Sequence, residues 1–219
     1  MSRPIIKKEE IVTERLTLHP YRTEDRDRLV EMMQNPDVTA TFMDDGGNMF
    51  EIKQVDRSNF TESSMDSFDR YQEVKKVFRM ENGRLVLKKL PFTETWSPER
   101  RREKTIEILS GKYITYCAFD GDTVVGEIML IPELNENRLI IDSFHVSRDY
   151  RRHGIGRRLI ETVCDYAKSR GAVALYASCC SAEETIRFYS AMGFEPSERP
   201  IPGCVKAEPF DIQMECRLI

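Results

Sequence analysis

The stretch RLIIDSFHVSRDYRRHGIGRRLIETVCDYAKS, running from Arg138 to Ser169, decides the reading of the chain. Its opening, RLIIDSFHV, has the apolar, β-branched character of a strand. Its close carries Leu159, Ile160, Val163, Cys164 and Ala167 at helical spacing, and Gly171 stops the run, so a helix is expected over Gly156–Ser169. Between them, Tyr150–Arg158 is a basic, glycine-bearing turn that feeds straight into the helix N-terminus. Such a turn suits a diphosphate. The first amides of a helix have no intrahelical acceptor, the aligned peptide dipoles make that end positive, and glycines let main chain approach without a Cβ in the way. Arg151, Arg152, Arg157 and Arg158 add charge. Taken alone, the turn also fits two glycines that shape a strand-to-helix junction among solvated arginines.

Working outward, YITYCAF and TVVGEIMLI flank Asp120-Gly121-Asp122, which predicts two antiparallel strands leading into RLIIDSFHV. Downstream, VALYAS reads as a strand, Glu183–Met192 as a helix stopped by Gly193, and FDIQMECRLI as a last strand alternating Phe210, Ile212, Met214, Cys216 and Leu218. Upstream, YQEVKKVFRM and RLVLKKLPF around Asn82-Gly83 predict a hairpin, because that pair accepts positive φ. SPERRREKTIEILSG follows as a helix capped by Ser97, with Pro98 in its first turn and Gly111 beyond its end. Residues 11–19, IVTERLTLH, read as one strand, and a helix is expected after a Thr23 cap. Met43 to about Asp69, rich in Asp, Gly, Asn and Ser, reads as a loop or short helix.

The 219 residues, 40% of them hydrophobic, suffice for one domain with a sizeable core. No apolar run approaches the ~20 residues of a membrane span and none resembles a leader, so a cytoplasmic protein with no membrane association is expected. Six cysteines without metal-ligand spacing read as reduced, buried small hydrophobes. His19 and His153 stand apart from other ligand types, and no metal is predicted. A net charge of -4 gives no sign of nucleic-acid binding and mildly favours a cationic substrate.

Arg151-x-x-Gly154-x-Gly156, following Phe144-His145-Val146, resembles the R/Q-x-x-G-x-G/A signature of the GNAT superfamily of N-acetyltransferases. At the distance that family requires, Ile186–Phe194, IRFYSAMGF, is similar to its second conserved region, FY-x-x-x-GF. The resemblance covers residues 112–195 well and 11–34 more loosely. It implies an α/β fold: a mixed, mostly antiparallel central sheet flanked by helices and splayed where RLIIDSFHV parts from VALYAS. It implies a single domain over 1–219, with 46–110 a variable elaboration that shapes the acceptor side. Acetyl-CoA is the implied co-substrate. The amides of Arg152, His153, Gly154, Ile155, Gly156 and Arg157 would hold its diphosphate, with Arg151 at the entrance. The strand at Phe144, His145 and Val146 would pair with the pantetheine arm through main-chain groups, and one N–H there would polarise the thioester carbonyl. Many relatives carry an asparagine where this chain has Ser181-Ala182, so the Ser181 hydroxyl is the available substitute. Tyr189 is the implied proton donor to the departing thiolate; its other reading is an aromatic packed beside Phe188.

For the base, Glu127 and Asp142 sit on neighbouring strands and could reach an amine through water, Glu127 being preferred; each could equally be a solvent-facing strand residue. His145 has a suitable pKa but faces away from Phe144 and Val146, and ranks below them. Cys179-Cys180 lack a basic partner, so direct transfer is expected over a thiol intermediate. The activity implied is acetyl transfer from acetyl-CoA to a primary amine, with a small amine placed first. A protein amine, N-terminal or lysine, and a non-catalytic acyl-CoA-binding module are the alternatives. A homodimer is left open.

Overall fold

The computed structural model describes residues 11–12, 17–18 and 50–218, which fall into two compact units, Met1–Gly47 and Asn48–Ile219. In the first unit, β1 (Ile11–Val12) and β2 (Thr17–Leu18) pair antiparallel, Ile11 opposite Leu18. The single strand expected over 11–19 is thus corrected to two that pair with each other, a reversal that alternation alone does not reveal. The helix expected after Thr23 lies outside the described residues.

The second unit is built on a seven-stranded sheet. Its strands are β3 (Glu51–Gln54), β6 (Ile114–Asp120), β7 (Thr123–Leu130), β8 (Arg138–Val146), β9 (Ala174–Cys179), β10 (Glu195–Pro196) and β11 (Ile212–Arg217), in the order β10-β11-β9-β8-β7-β6-β3. All neighbours are antiparallel except β8 and β9. Separately, β4 (Tyr71–Glu81) and β5 (Arg84–Thr95) form a long hairpin, turned at Asn82 and Gly83 with φ of 50° and 74°. This left-handed pair is what a two-residue turn matching strand twist requires. The hairpin joins the main unit where Phe78 N–H donates to Ser181 O at 2.7 Å.

Helices cover both faces. α1 (Pro98–Leu109) starts at Ser97, whose hydroxyl accepts from Arg100 N–H at 3.2 Å, and its Ile108 packs with Cys117, Phe119, Val124 and Met129 on one face. α2 (Ile155–Ser169) buries Ile155, Leu159, Ile160, Val163 and Ala167 on the other, against Ala118, Ile128, Leu130 and Ile141, with α3 (Glu183–Ala191) beside it. Each fully buried Leu or Ile in that stripe contributes about 1.5–3 kcal/mol, which fixes α2 and the turn before it to the sheet.

Two expectations need correcting. The loop or short helix expected over Met43–Asp69 contains an edge strand instead, β3, held by β6 with Ile52 opposite Ala118. The turns after it sink Phe60, Met65 and Phe68 into the core at 2% exposure or less. The last strand begins at Ile212, leaving Phe210 69% exposed, and a short helix, α4 (Pro202–Ala207), precedes it.

Candidate active site

The ladder between β8 and β9 runs only from Arg138–Ala174 to Ile141–Ala177, after which the strands diverge. On its other side β8 stays paired with β7, but the register slips between Met129 and Leu130: Leu130 faces Ile141 and Met129 faces Ser143, so Asp142 is an extra residue. Ser147 N–H donates to Val125 O at 2.9 Å. By the two-residue alternation of a strand, the main-chain groups of Phe144 and Val146 therefore point away from β7, to the open edge. The Val146 carbonyl there accepts from Arg151 Nε at 2.9 Å, tying the strand end to the basic turn.

That turn is shaped by two left-handed residues, Arg152 (φ 67°) and Gly154 (φ 78°), and Gly154 is the N-cap of α2. No side chain caps this helix. Among the described residues, the amides of Arg152, His153, Gly154, Ile155, Gly156 and Arg157 have no acceptor; the first of the series to find one is Arg158, on Gly154 O at 3.1 Å. Unpaired consecutive amides at a helix start form an anion site.

The turn opens into a cleft of about 1190 Å³. Its wall includes Arg151, Arg152, Gly154, Gly156 and Arg157 from the turn, Asp142, Phe144, His145 and Val146 from β8, and Tyr189 from α3. His153 is exposed and Ile155 is buried in the core, and neither side chain lines the cleft. Ser181 is also off the wall: its hydroxyl accepts from Arg79 Nη1 at 2.5 Å, so it is engaged in holding the hairpin.

Tyr189 is 6% exposed and packs edge-on against Phe144, Phe188 and Phe194. Burial, reinforced by Cys179 and Glu127, pushes its hydroxyl well above the usual tyrosine range, so it keeps its proton at neutral pH. Burial likewise raises the Cys179 and Cys180 thiols, which stay protonated and poorly nucleophilic.

Glu127 has no exposed surface and does not line the cleft. Its Oε1 lies 2.7 Å from His145 Nδ1 and accepts from Ser143 Oγ at 2.8 Å. Lys104, 3% exposed, donates to Ser143 Oγ at 3.2 Å and pairs with Glu107 at 2.6 Å. Burial alone would raise the Glu127 pKa, but the hydrogen bond and charge of His145, with Lys104 and Ser143, hold it below the ordinary value. A register-dependent network of this kind has no sequence signal beyond the residue types.

Charges of both signs line the cleft: Arg70, Arg100 and Lys104 beside the arginines of the turn, and a set of carboxylates, Glu94, Glu107, Asp142, Glu184, Glu208 and Asp211. Burial first, then repulsion from Glu208 and Glu94, raises Asp211 to about 7. Burial also raises Asp142, with Glu107, Glu127 and Glu208 adding to the shift against Lys104.

β8 thus splays from β9 beside a helix start whose first amides are unpaired, and comparison with known proteins gives the family of the chain. The family model described as Acetyltransferase (GNAT) family matches residues 81–194, and the chain belongs to that family. It is 27% identical over 101 residues to a Xenopus tropicalis protein named probable N-acetyltransferase 14; the match spans 45% of this chain and about half, 48%, of that protein. In fold it is similar to nourseothricin acetyltransferase, with a TM-score of 0.60 and 17% identity over 78% of this chain and 99% of that one. A Bacillus anthracis str. Ames protein provisionally named as a streptothricin acetyltransferase, solved with acetyl coenzyme A, gives 0.59 and 16% over the same shares.

Proposed function

We propose that the protein moves an acetyl group from acetyl-CoA to a primary amine by direct transfer, and that the acceptor is a small amine. The observation that carries this reading is the run of six unpaired amides from Arg152 to Arg157 opening into a cleft beside the free edge of β8. The residues present fit the co-substrate. The amides would hold the diphosphate, with Arg151, Arg152 and Arg157 adding charge, and the outward main-chain groups of Phe144 with the Val146 N–H would hold the amide-bearing arm as an added strand, the Val146 carbonyl being taken by Arg151. When bound, acetyl-CoA supplies the acetyl group as an activated thioester.

The other groups belong to the chain. Tyr189, protonated and on the wall, would give the proton to a departing thiolate. Thiols kept protonated at buried Cys179 and half-buried Cys180 support direct transfer over a thiol-bound route. The crowded carboxylates favour an acceptor with positive charge, since a cation relieves their mutual repulsion.

Calorimetry with coenzyme A, followed by incubation with acetyl-CoA and a mixture of small amines and peptides and product identification by mass spectrometry, tests the reading. Heat of binding and an acetylated small amine are expected. No heat and no product would refute it, and acetylated peptides alone would move the acceptor to a protein amine.

A further inference from the structure

We propose that His145, rather than Glu127 or Asp142, takes the proton from the acceptor amine, and that Glu127 is the positioning residue behind it; the proposal rests on the acetyl-transfer reading above. A group that removes a proton from a substrate must reach it, and Glu127 has no exposed surface. His145, with a side chain 23% exposed, lines the cleft, and Glu127 meets it from behind at 2.7 Å. An ionised carboxylate only accepts hydrogen bonds, so this contact places the imidazole hydrogen on Nδ1 and the lone pair on Nε2. Nε2 has no partner among the described residues. Trp96 packs edge-on to the ring at 4.7 Å, which with Glu127 fixes its orientation. Asp142 also lines the cleft, but among the described residues no hydrogen bond orients its carboxylate.

The charged groups that face His145 come from three elements: Glu127 on β7, Lys104 on α1, and Arg70 just before β4. Burial, with Arg70 and Lys104, holds the imidazole below its ordinary pKa against the pull of Glu127, so the neutral, proton-accepting form prevails at pH 7. In the step itself, an N–H bond of the acceptor ammonium breaks, its electron pair stays on nitrogen as the attacking lone pair, and the proton bonds to Nε2. The imidazolium so formed is stabilised by Glu127 and later releases its proton to water.

The test has two arms. In the first, pH–rate profiles are taken for the wild type and for H145Q, E127Q and D142N. H145Q is expected to lower kcat/KM by about 10²–10⁴-fold and to lose the acidic limb, while coenzyme A binding by calorimetry is retained. E127Q is expected to cost about 100-fold or more, as when an imidazole loses the carboxylate that sets its tautomer. Its limb should move toward acid, because the charge that favoured imidazolium is gone. D142N keeps the limb in place. In the second arm, nitrogen-detected NMR of the protein without acetyl-CoA follows the His145 ring, identified by its absence in H145Q. A single Nδ1–H tautomer is expected in the wild type, and in E127Q a mixture that titrates at lower pH. An H145Q enzyme that keeps both turnover and limb, a limb lost in D142N instead, or an E127Q ring that titrates as in the wild type would each overturn the proposal. A wild type that binds coenzyme A but acetylates no amine removes the acetyl-transfer reading and this proposal with it, an outcome distinct from the other three.

Discussion

Gly126→Ala separates close packing from mere backbone freedom by the sign of its effect. Gly126 lies inside β7, opposite Ala118 on β6 and Val146 on β8. In an open strand interior, Ala in place of Gly would stabilise by about 0.4–1 kcal/mol through the unfolded chain. Here a Cβ would stand 2.9 Å from Ile155 Cγ2 and 3.0 Å from Leu159 Cδ1, both on the first turns of α2. The Ile155 methyl branches from its Cβ and cannot swing clear, so the helix start must lift. Overpacking of this kind costs about 1–3 kcal/mol, which outweighs the entropic gain and leaves a net loss of about 0.5–2 kcal/mol. At about 2–4 °C per kcal/mol for a chain of this size, Tm should fall by several degrees in a calorimetric scan. Because the lifted turn carries the unpaired amides, coenzyme A affinity should fall with it in a titration. A variant with raised Tm and unchanged affinity would refute the idea that Gly126 seats the turn of unpaired amides.

Other expectations follow from the same structure. Tyr189→Phe removes the protonated hydroxyl but keeps the ring packing, so steady-state turnover falls while acetyl-CoA affinity barely changes. Asp211 ionises near 3.8 when unfolded and at about 7 when folded, so the native state holds the extra proton between these values and its advantage is lost as pH rises through about 7. Asp211→Asn should therefore raise Tm over the wild type at pH 8, with the gain shrinking toward pH 4. Arg138, 2% exposed, pairs with Glu136 and Glu215 and donates to Arg199 O at 2.7 Å. Arg138→Met takes a charged partner from half-buried Glu215 and the donor from Arg199 O, and should cost about 1–3 kcal/mol in denaturant unfolding, with little effect on coenzyme A binding.

The elements legible in the sequence were those with a local cause. Asn82-Gly83 announces its own turn, Ser97-Pro98 its helix start, and the spacing from Leu159 to Ala167 its buried stripe. The same holds for the turn of unpaired amides, whose glycine spacing and arginines adjoin the helix they precede. What was not legible depends on contacts between distant segments. Phe60, Met65 and Phe68 follow no period because they reach the core from turns, and β3 exists because β6 offers it an edge. Ser181 has the right chemistry for a polar cofactor contact, but Arg79, far away in sequence, has claimed its hydroxyl. Glu127 and His145 were visible as types; that one stands behind the other could only come from strand pairing.

The extra residue at Asp142 reverses the parity of β8. Before it, odd-numbered Leu139 and Ile141 feed the apolar layer under α2; after it, even-numbered Phe144 and Val146 do. A strand without the insertion would have turned Ser143 and His145 into that greasy layer and Phe144 into the polar network. A frame slip of one position thus sorts oil from proton chemistry along a single strand, and shifting it by protein engineering should exchange the two faces wholesale.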